Sequence, residues 1–227
     1  MATVEFFFDP MCPWAYQTSR WIRSVRSELA GSADSIDIDW RFFSLEAINR
    51  PEGKRWPWER PWAYGFSQMR VGAWLRREHG QEALERWYTA VGEAFHLRGE
   101  KTQDRAVHTR LVADLGFAAS TVDDAIADVT TIDLVRADHD HLVREHAGYG
   151  VPTMVRDGHA LFGPMITPAP EGPAAVRLWQ LVAGWWEFPH LYELRKPKTA
   201  TDWTHIGDQF APYLDARDWQ TIANPVA

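Results

Sequence analysis

Phe8-Asp9-Pro10-Met11-Cys12-Pro13-Trp14-Ala15 joins a short apolar run to a segment of helical period. Before it, Val4-Glu5-Phe6-Phe7-Phe8 reads as a buried strand stopped by Asp9-Pro10. After it, Pro13 opens a helix at the first helical position, where a missing N–H costs nothing. Trp14, Trp21, Ile22, Val25 and Leu29 keep helical spacing, and Gly31 ends the run. Ile36, Ile38, Trp40 and Phe42 then alternate with Asp37, Asp39 and Arg41, which predicts a period-two strand. Strand, helix and strand within ~40 residues form a βαβ unit, with parallel strands and a right-handed crossover.

Beyond this unit the pattern changes. Residues 46–61 are rich in Pro, Trp and charge and read as a loop. From about 62 to 147 the chain reads as helical. Leu84, Trp87, Tyr88, Val91 and Phe95 share one face, and so do Val107, Leu111 and Leu115. Ser120-Thr121-Val122-Asp123 resembles a capping box with Asp in place of Glu. Ile132, Val135, Leu142 and Val143 mark a further helix. Two strands, Thr153-Met154-Val155-Arg156 and His159-Ala160-Leu161-Phe162, flank Asp157-Gly158, a hairpin signal. A last helix carries Val176, Trp179, Val182, Ala183 and Trp186 on one stripe, and 188–227 shows no clear period. The order predicts an α/β scaffold over 1–45 and 148–196, an all-helical insertion over 46–147, and a C-terminal tail over 197–227.

A chain of 227 residues is long enough for a sizeable core. At 45% hydrophobic and 24% charged it is ordinary for a globular protein, apart from its thirteen tryptophans. The net charge of −7, with no basic cluster beyond Arg195-Lys196-Pro197-Lys198, argues against a nucleic-acid partner. No segment has the length to span a membrane. With one cysteine, no apparent leader and no intramolecular disulfide, the expected setting is the reducing cytoplasm.

The chemistry centres on Cys12. A thiol between a strand and a helix start meets the positive end of the helix dipole and unpaired backbone N–H groups. Both favour a thiolate, so the Cys12 pKa is expected to fall. The bland alternative, a small buried hydrophobe, fits an isolated cysteine in general but not this position. Val151-Pro152-Thr153 is the second signal. A proline opening a strand is tolerated there, and a cis Val151–Pro152 bond would be a deliberate feature.

Together these stretches resemble the DsbA-like thioredoxin-fold oxidoreductases, a group that includes kappa-class glutathione transferases and 2-hydroxychromene-2-carboxylate isomerases. The closer likeness is to the mycothiol-dependent nitroreductase group. Phe8 to Trp14, Thr18-Ser19-Arg20-Trp21-Ile22, Pro152-Thr153, Phe162-Gly163-Pro164 and Pro189-His190-Leu191-Tyr192-Glu193-Leu194 carry it. The resemblance implies a thioredoxin fold and a mixed disulfide with a low-molecular-weight thiol, mycothiol by the closer likeness. It implies a site built by Cys12, Pro13 and Trp14 with the Val151, Pro152 and Thr153 loop, and Asn49 standing where related enzymes hold their thiol. The resembling group often has Cys-Pro-Trp-Cys, whereas this chain has Ala15 where the second cysteine would stand. A dithiol cycle within one subunit is therefore closed to it.

Two other clusters bear on function. Asp138-His139-Asp140-His141 looks metal-like, but on a helix His139 and His141 point about 200° apart, so packed or surface histidines are expected and no metal. Trp56, Trp58, Trp62, Tyr64 and Phe66 either line an apolar pocket above Cys12, with Trp14, Trp62, Tyr64 and Phe66 at a small aromatic substrate, or bury the insertion on the core. Three functions stay open: a thiol-dependent oxidoreductase acting on disulfides or electron-poor nitroaromatics, a transferase or isomerase with a thiol cofactor and no redox cycle, and a non-catalytic binding protein. A homodimer is also left open.

Overall fold

The computed structural model describes residues 2–217. Strand β1 (Ala2–Phe8), helix α1 (Pro13–Glu28) and strand β2 (Ile36–Phe42) form the expected βαβ unit. β1 and β2 are parallel, with Phe6 beside Trp40 and Phe8 beside Phe42. Ile36, Ile38, Trp40 and Phe42 are buried, as their alternation requires. Phe6 meets Trp40 edge-on at 5.1 Å, and Phe8 stacks on Tyr88 at 3.8 Å.

The segment 46–61 is not one continuous loop. It contains the end of α2 (Leu45–Ile48) and a 3₁₀ turn at Pro57–Glu59. α2 starts on Ser44, whose hydroxyl accepts from the Ala47 N–H at 3.0 Å. One turn of helix has no period to read, which is why patterning misses it. The insertion continues with α3 (Phe66–Gly92), a single π turn at Glu93–Leu97, α4 (Arg105–Asp114), α5 (Thr121–Ala127) and α6 (Thr130–His146). α3 is broken at Gly80, whose φ of +84° only glycine adopts freely. The capping box expected at Ser120 does not form. Ser120 sits at φ −72°, ψ −16° and makes no side-chain cap bond, because an N-cap needs extended backbone to aim its oxygen at the first turn.

β3 (Thr153–Arg156) and β4 (His159–Phe162) close a hairpin through Asp157 and Gly158, both at positive φ. The sheet order is β2-β1-β3-β4. β3 runs antiparallel to β1, with Phe7 opposite Thr153. α7 (Gly172–Trp185) packs on α1, where the Trp21 indole N–H donates to the Ala175 carbonyl at 3.0 Å. One core unites scaffold and insertion, from Phe8 and Trp40 through Trp87, Val91 and Leu142 to Trp179. The tail, expected without period, forms α8 (Ala200–Gln209) and α9 (Ala211–Ala216). Thr199 and Asp202 make a reciprocal capping box on α8. The last ten residues of that tail, 218–227, lie outside the described residues. Among the described residues, no helix is long and apolar enough to cross a membrane.

Asp138 clamps α6 onto β2. Its carboxylate accepts from Arg76 at 2.6 Å, Arg41 at 3.2 Å and the Phe42 N–H at 3.1 Å. His139 accepts from the Ser44 N–H through Nδ1 at 3.2 Å and packs on Phe43. Removing the carboxylate leaves Arg76 without its carboxylate partner and a buried N–H unpaired, while Arg41 keeps Asp39. Asp138→Ala is expected to destabilise the fold by about 3–5 kcal/mol, read as a lowered denaturant midpoint in chemical unfolding.

Candidate functional site

The site follows from strand register. Because Phe7 faces Thr153 across an antiparallel pair, the chain leaving β1 runs beside the chain entering β3. Residues 9–12 therefore meet Val151 and Pro152. The Val151–Pro152 peptide is cis. Cys12 is the N-cap of α1, in extended conformation, with Pro13 behind it. The Cys12 Sγ accepts from the Ala15 N–H at 3.4 Å and lies 3.5 Å from the Val151 carbonyl, to which the thiol donates.

Asp9 holds this turn. Its backbone carbonyl accepts from the Cys12 N–H at 3.0 Å. One carboxyl oxygen takes the Met11 N–H and the other the Leu45 N–H, each at 2.9 Å. Burial pushes the Asp9 pKa up to about 7 against the pull of those two donors, and the charge on Glu46 adds to the rise.

The same burial corrects the expectation for Cys12. Its thiol is 6% exposed, and desolvation pushes its pKa up to about 12. The Ala15 N–H lowers it, and the charge of Asp9 raises it further. The rise from 9.0 is on the order of 4 kcal/mol against the thiolate. A helix terminus returns only about 1 kcal/mol, so burial wins.

The C-terminal segment reaches this site. The Phe210 ring stands edge-on to Trp14 at 4.8 Å and is itself buried. Tyr213 packs on Phe95 at 5.4 Å and on His96 at 5.5 Å. Burial raises the Tyr213 pKa, and the charges of Cys12 and Asp9 add to it, so the phenol shares their surroundings. Phe95 and His96 come from the π turn, an irregularity that re-aims side chains within a helix. The buried His96 ring stacks on Tyr16 at 4.9 Å, and burial lowers its pKa to about 3. Neutral His96 thus donates Nε2–H to the Pro10 carbonyl at 2.8 Å. Gly92 permits this packing, since a Cβ there would come within 2.4 Å of the Tyr16 ring.

The other expected residues divide. Trp14 is half-buried, and Ala15, Val151, Pro152 and Thr153 are buried around Cys12, with the Thr153 hydroxyl donating to Gly150 at 2.8 Å. Tyr64 belongs to a cluster with Met11, Phe95 and Ala216 at the site. Trp62 donates to the Gln103 carbonyl at 2.8 Å, and Phe66 is buried against Trp58, so these two hold the insertion together. Asn49 is exposed at the end of α2, its amide donating to the Leu45 carbonyl at 2.9 Å. Sequence reading missed Asp9, His96, Phe210 and Tyr213 as site residues. Only Asp9 carried a signal, its place three residues before Cys12.

The model of the family of the mycothiol-dependent nitroreductase Rv2466c matches residues 11–196. The chain belongs to that family. It is 52% identical over 222 residues to the uncharacterized Mycobacterium tuberculosis protein Rv2286c, covering 98% of this chain and 94% of the relative. Its fold is similar to a probable DsbA oxidoreductase, SCO1869 of Streptomyces coelicolor (TM-score 0.57, 20% identity, 88% and 93% of the two chains). It is also similar to 2-hydroxychromene-2-carboxylate isomerase (TM-score 0.58, 13% identity, 82% and 95%). A third neighbour is the cytosolic disulfide reductase DsbM of Pseudomonas aeruginosa (TM-score 0.52, 17% identity, 81% and 99%). The fold is thus the DsbA-like thioredoxin fold that the sequence resembles.

Because the fold raises the Asp9 pKa, it binds that proton more tightly than the unfolded chain does. The stability from this group is complete below pH 3.8 and is lost as pH rises through about 7. Asp9→Asn is expected to flatten this slope relative to the parent between pH 4 and 7, read by denaturant unfolding at each pH. The same variant is expected to move the pH profile of Cys12 alkylation to lower pH, because it removes a negative charge beside the thiol.

Proposed function

We propose that this protein is a cytoplasmic thiol-dependent oxidoreductase in which Cys12 works alone, with a low-molecular-weight thiol as co-substrate. Mycothiol is the thiol that the family points to. The observation that carries the reading is the placement of Cys12 Sγ at the start of α1, between the Ala15 N–H and the Val151 carbonyl. As a thiolate, Sγ keeps the Ala15 donor. The strand entry at Val151 offers backbone groups to the peptide-like part of a thiol, in the manner of an added strand, and the exposed Asn49 stands ready for its polar end.

Cys12 Sγ attacks one sulfur of a substrate disulfide. A new S–S bond forms, the old one breaks, and the departing thiolate takes up a proton. A molecule of the co-substrate thiol then attacks the mixed disulfide, restores Cys12 and stays bonded to the sulfur it removes. With a nitroarene as acceptor, two thiols become one disulfide and yield two electrons and two protons. The nitro group becomes nitroso, and one water leaves. Trp14 and Tyr64 offer flat apolar surface to such an acceptor.

A second reading is favoured by Ala15 and by the protonated state of Cys12: a transferase or isomerase that binds a thiol and never oxidises its own. The two readings part on the mass of the protein after incubation with mycothiol disulfide and, separately, glutathione disulfide. The expected outcome is one mycothiol adduct per chain, mapped to Cys12, with little from glutathione and none in Cys12→Ser. Folded protein that takes no adduct from either would leave the non-redox reading in its place.

A further inference from the structure

We propose that α8 and α9 form a tethered gate, and that the Phe210 ring must leave Trp14 before Cys12 meets a reagent of aromatic size. This rests on the reading of Cys12 as the reacting thiol. The gate touches the site through one small footprint. Phe210 stands on Trp14, and Tyr213 stands on Phe95 and His96. The Gln103 amide donates to the Ala216 carbonyl at 3.1 Å. The Pro212 carbonyl lies so near Gly99 that a Cβ there would stand 3.2 Å from it.

Elsewhere the segment is loosely held. α8 buries no residue, and His205 bonds from it to the Thr167 carbonyl at 3.2 Å. Every residue from 187 to 199 is exposed. Few buried contacts and an exposed connection mark the low-stability end of a fold, the part that opens first. The family match stops at residue 196, just before the gate, while the match to Rv2286c takes in 98% of the chain. The gate is thus an addition to the part matched by the family.

A short tether holds its cargo at an effective concentration in the millimolar range. A free aromatic compound of equal affinity, at lower concentration, meets a closed site. Once the gate swings out, Phe210 leaves the face of Trp14 and Tyr213 leaves Phe95, which opens an aromatic recess lined by those two rings. The occupant it fits is planar and aromatic, because aromatic rings fill it in the closed state. The gate therefore sets which acceptors reach the thiol, by size and by flatness.

The test labels Cys12 in the folded, full-length protein with iodoacetamide and with fluorescein maleimide. Phe210→Ala is expected to raise the maleimide rate at least ten-fold and the iodoacetamide rate less, and Gln103→Ala to act in the same direction. Leu214→Ala, on the exposed side of α9, is expected to label like the parent. Hydrogen exchange on the unaltered chain supplies the second arm. Attachment of the bulky maleimide is expected to speed exchange across residues 200–216 while 17–28 in α1 stay protected. Parent-like labelling of folded Phe210→Ala by both reagents would overturn the gate, and so would a maleimide adduct with unchanged exchange over 200–216. Neither arm uses mycothiol, so a failed gate and a failed choice of co-substrate give different results.

Discussion

The antiparallel register that sets Phe7 against Thr153 is the constraint on which the rest depends. Side chains alternate across a strand, so a slip by one residue would turn β1 over and send Phe6 and Phe8 away from Trp40 and Tyr88. It would also separate Cys12 from Val151, which are 139 residues apart in sequence and in contact in space. The long insertion between β2 and β3 is tolerated because its helices close onto the same core instead of building a second one. Asp138 ties that insertion to β2, and Asp9 ties the Cys12 turn to the start of the insertion at Leu45.

Around Cys12 the molecule has gathered groups that resist charge. Burial raises Asp9 and Cys12 and lowers His96, and each shift favours the neutral form. This is the electrostatics of a dry, closed site. A buried thiol keeps out of exchange until something changes its surroundings, and the Phe210–Trp14 contact is the element placed to do that. Reactivity then depends on the position of α9 as well as on the start of α1.

The comparisons separate fold from chemistry. Disulfide reductase and isomerase share this architecture at 13–20% identity, so the scaffold alone selects no reaction. What this chain adds is a single thiol, with the fully buried Ala15 a turn below it. The second thiol of any disulfide made by Cys12 must come from outside the chain.

The βαβ start, the hairpin and the place of Cys12 were legible in the sequence because each rests on local rules: period, turn chemistry and a proline at a helix start. Trp14, Val151 and Pro152 followed from the resemblance those rules exposed. Asp9 was visible only as a strand stop, since nothing local says that its carboxyl closes onto Leu45. Trp62 and Phe66 looked like pocket residues because composition marks an aromatic as buried without saying against what. The sequence by itself determined which thiol would sit at a helix N-terminus. Only the tertiary structure decided its state, because desolvation depends on every atom within reach, and here those atoms include Val151, 139 residues away along the chain.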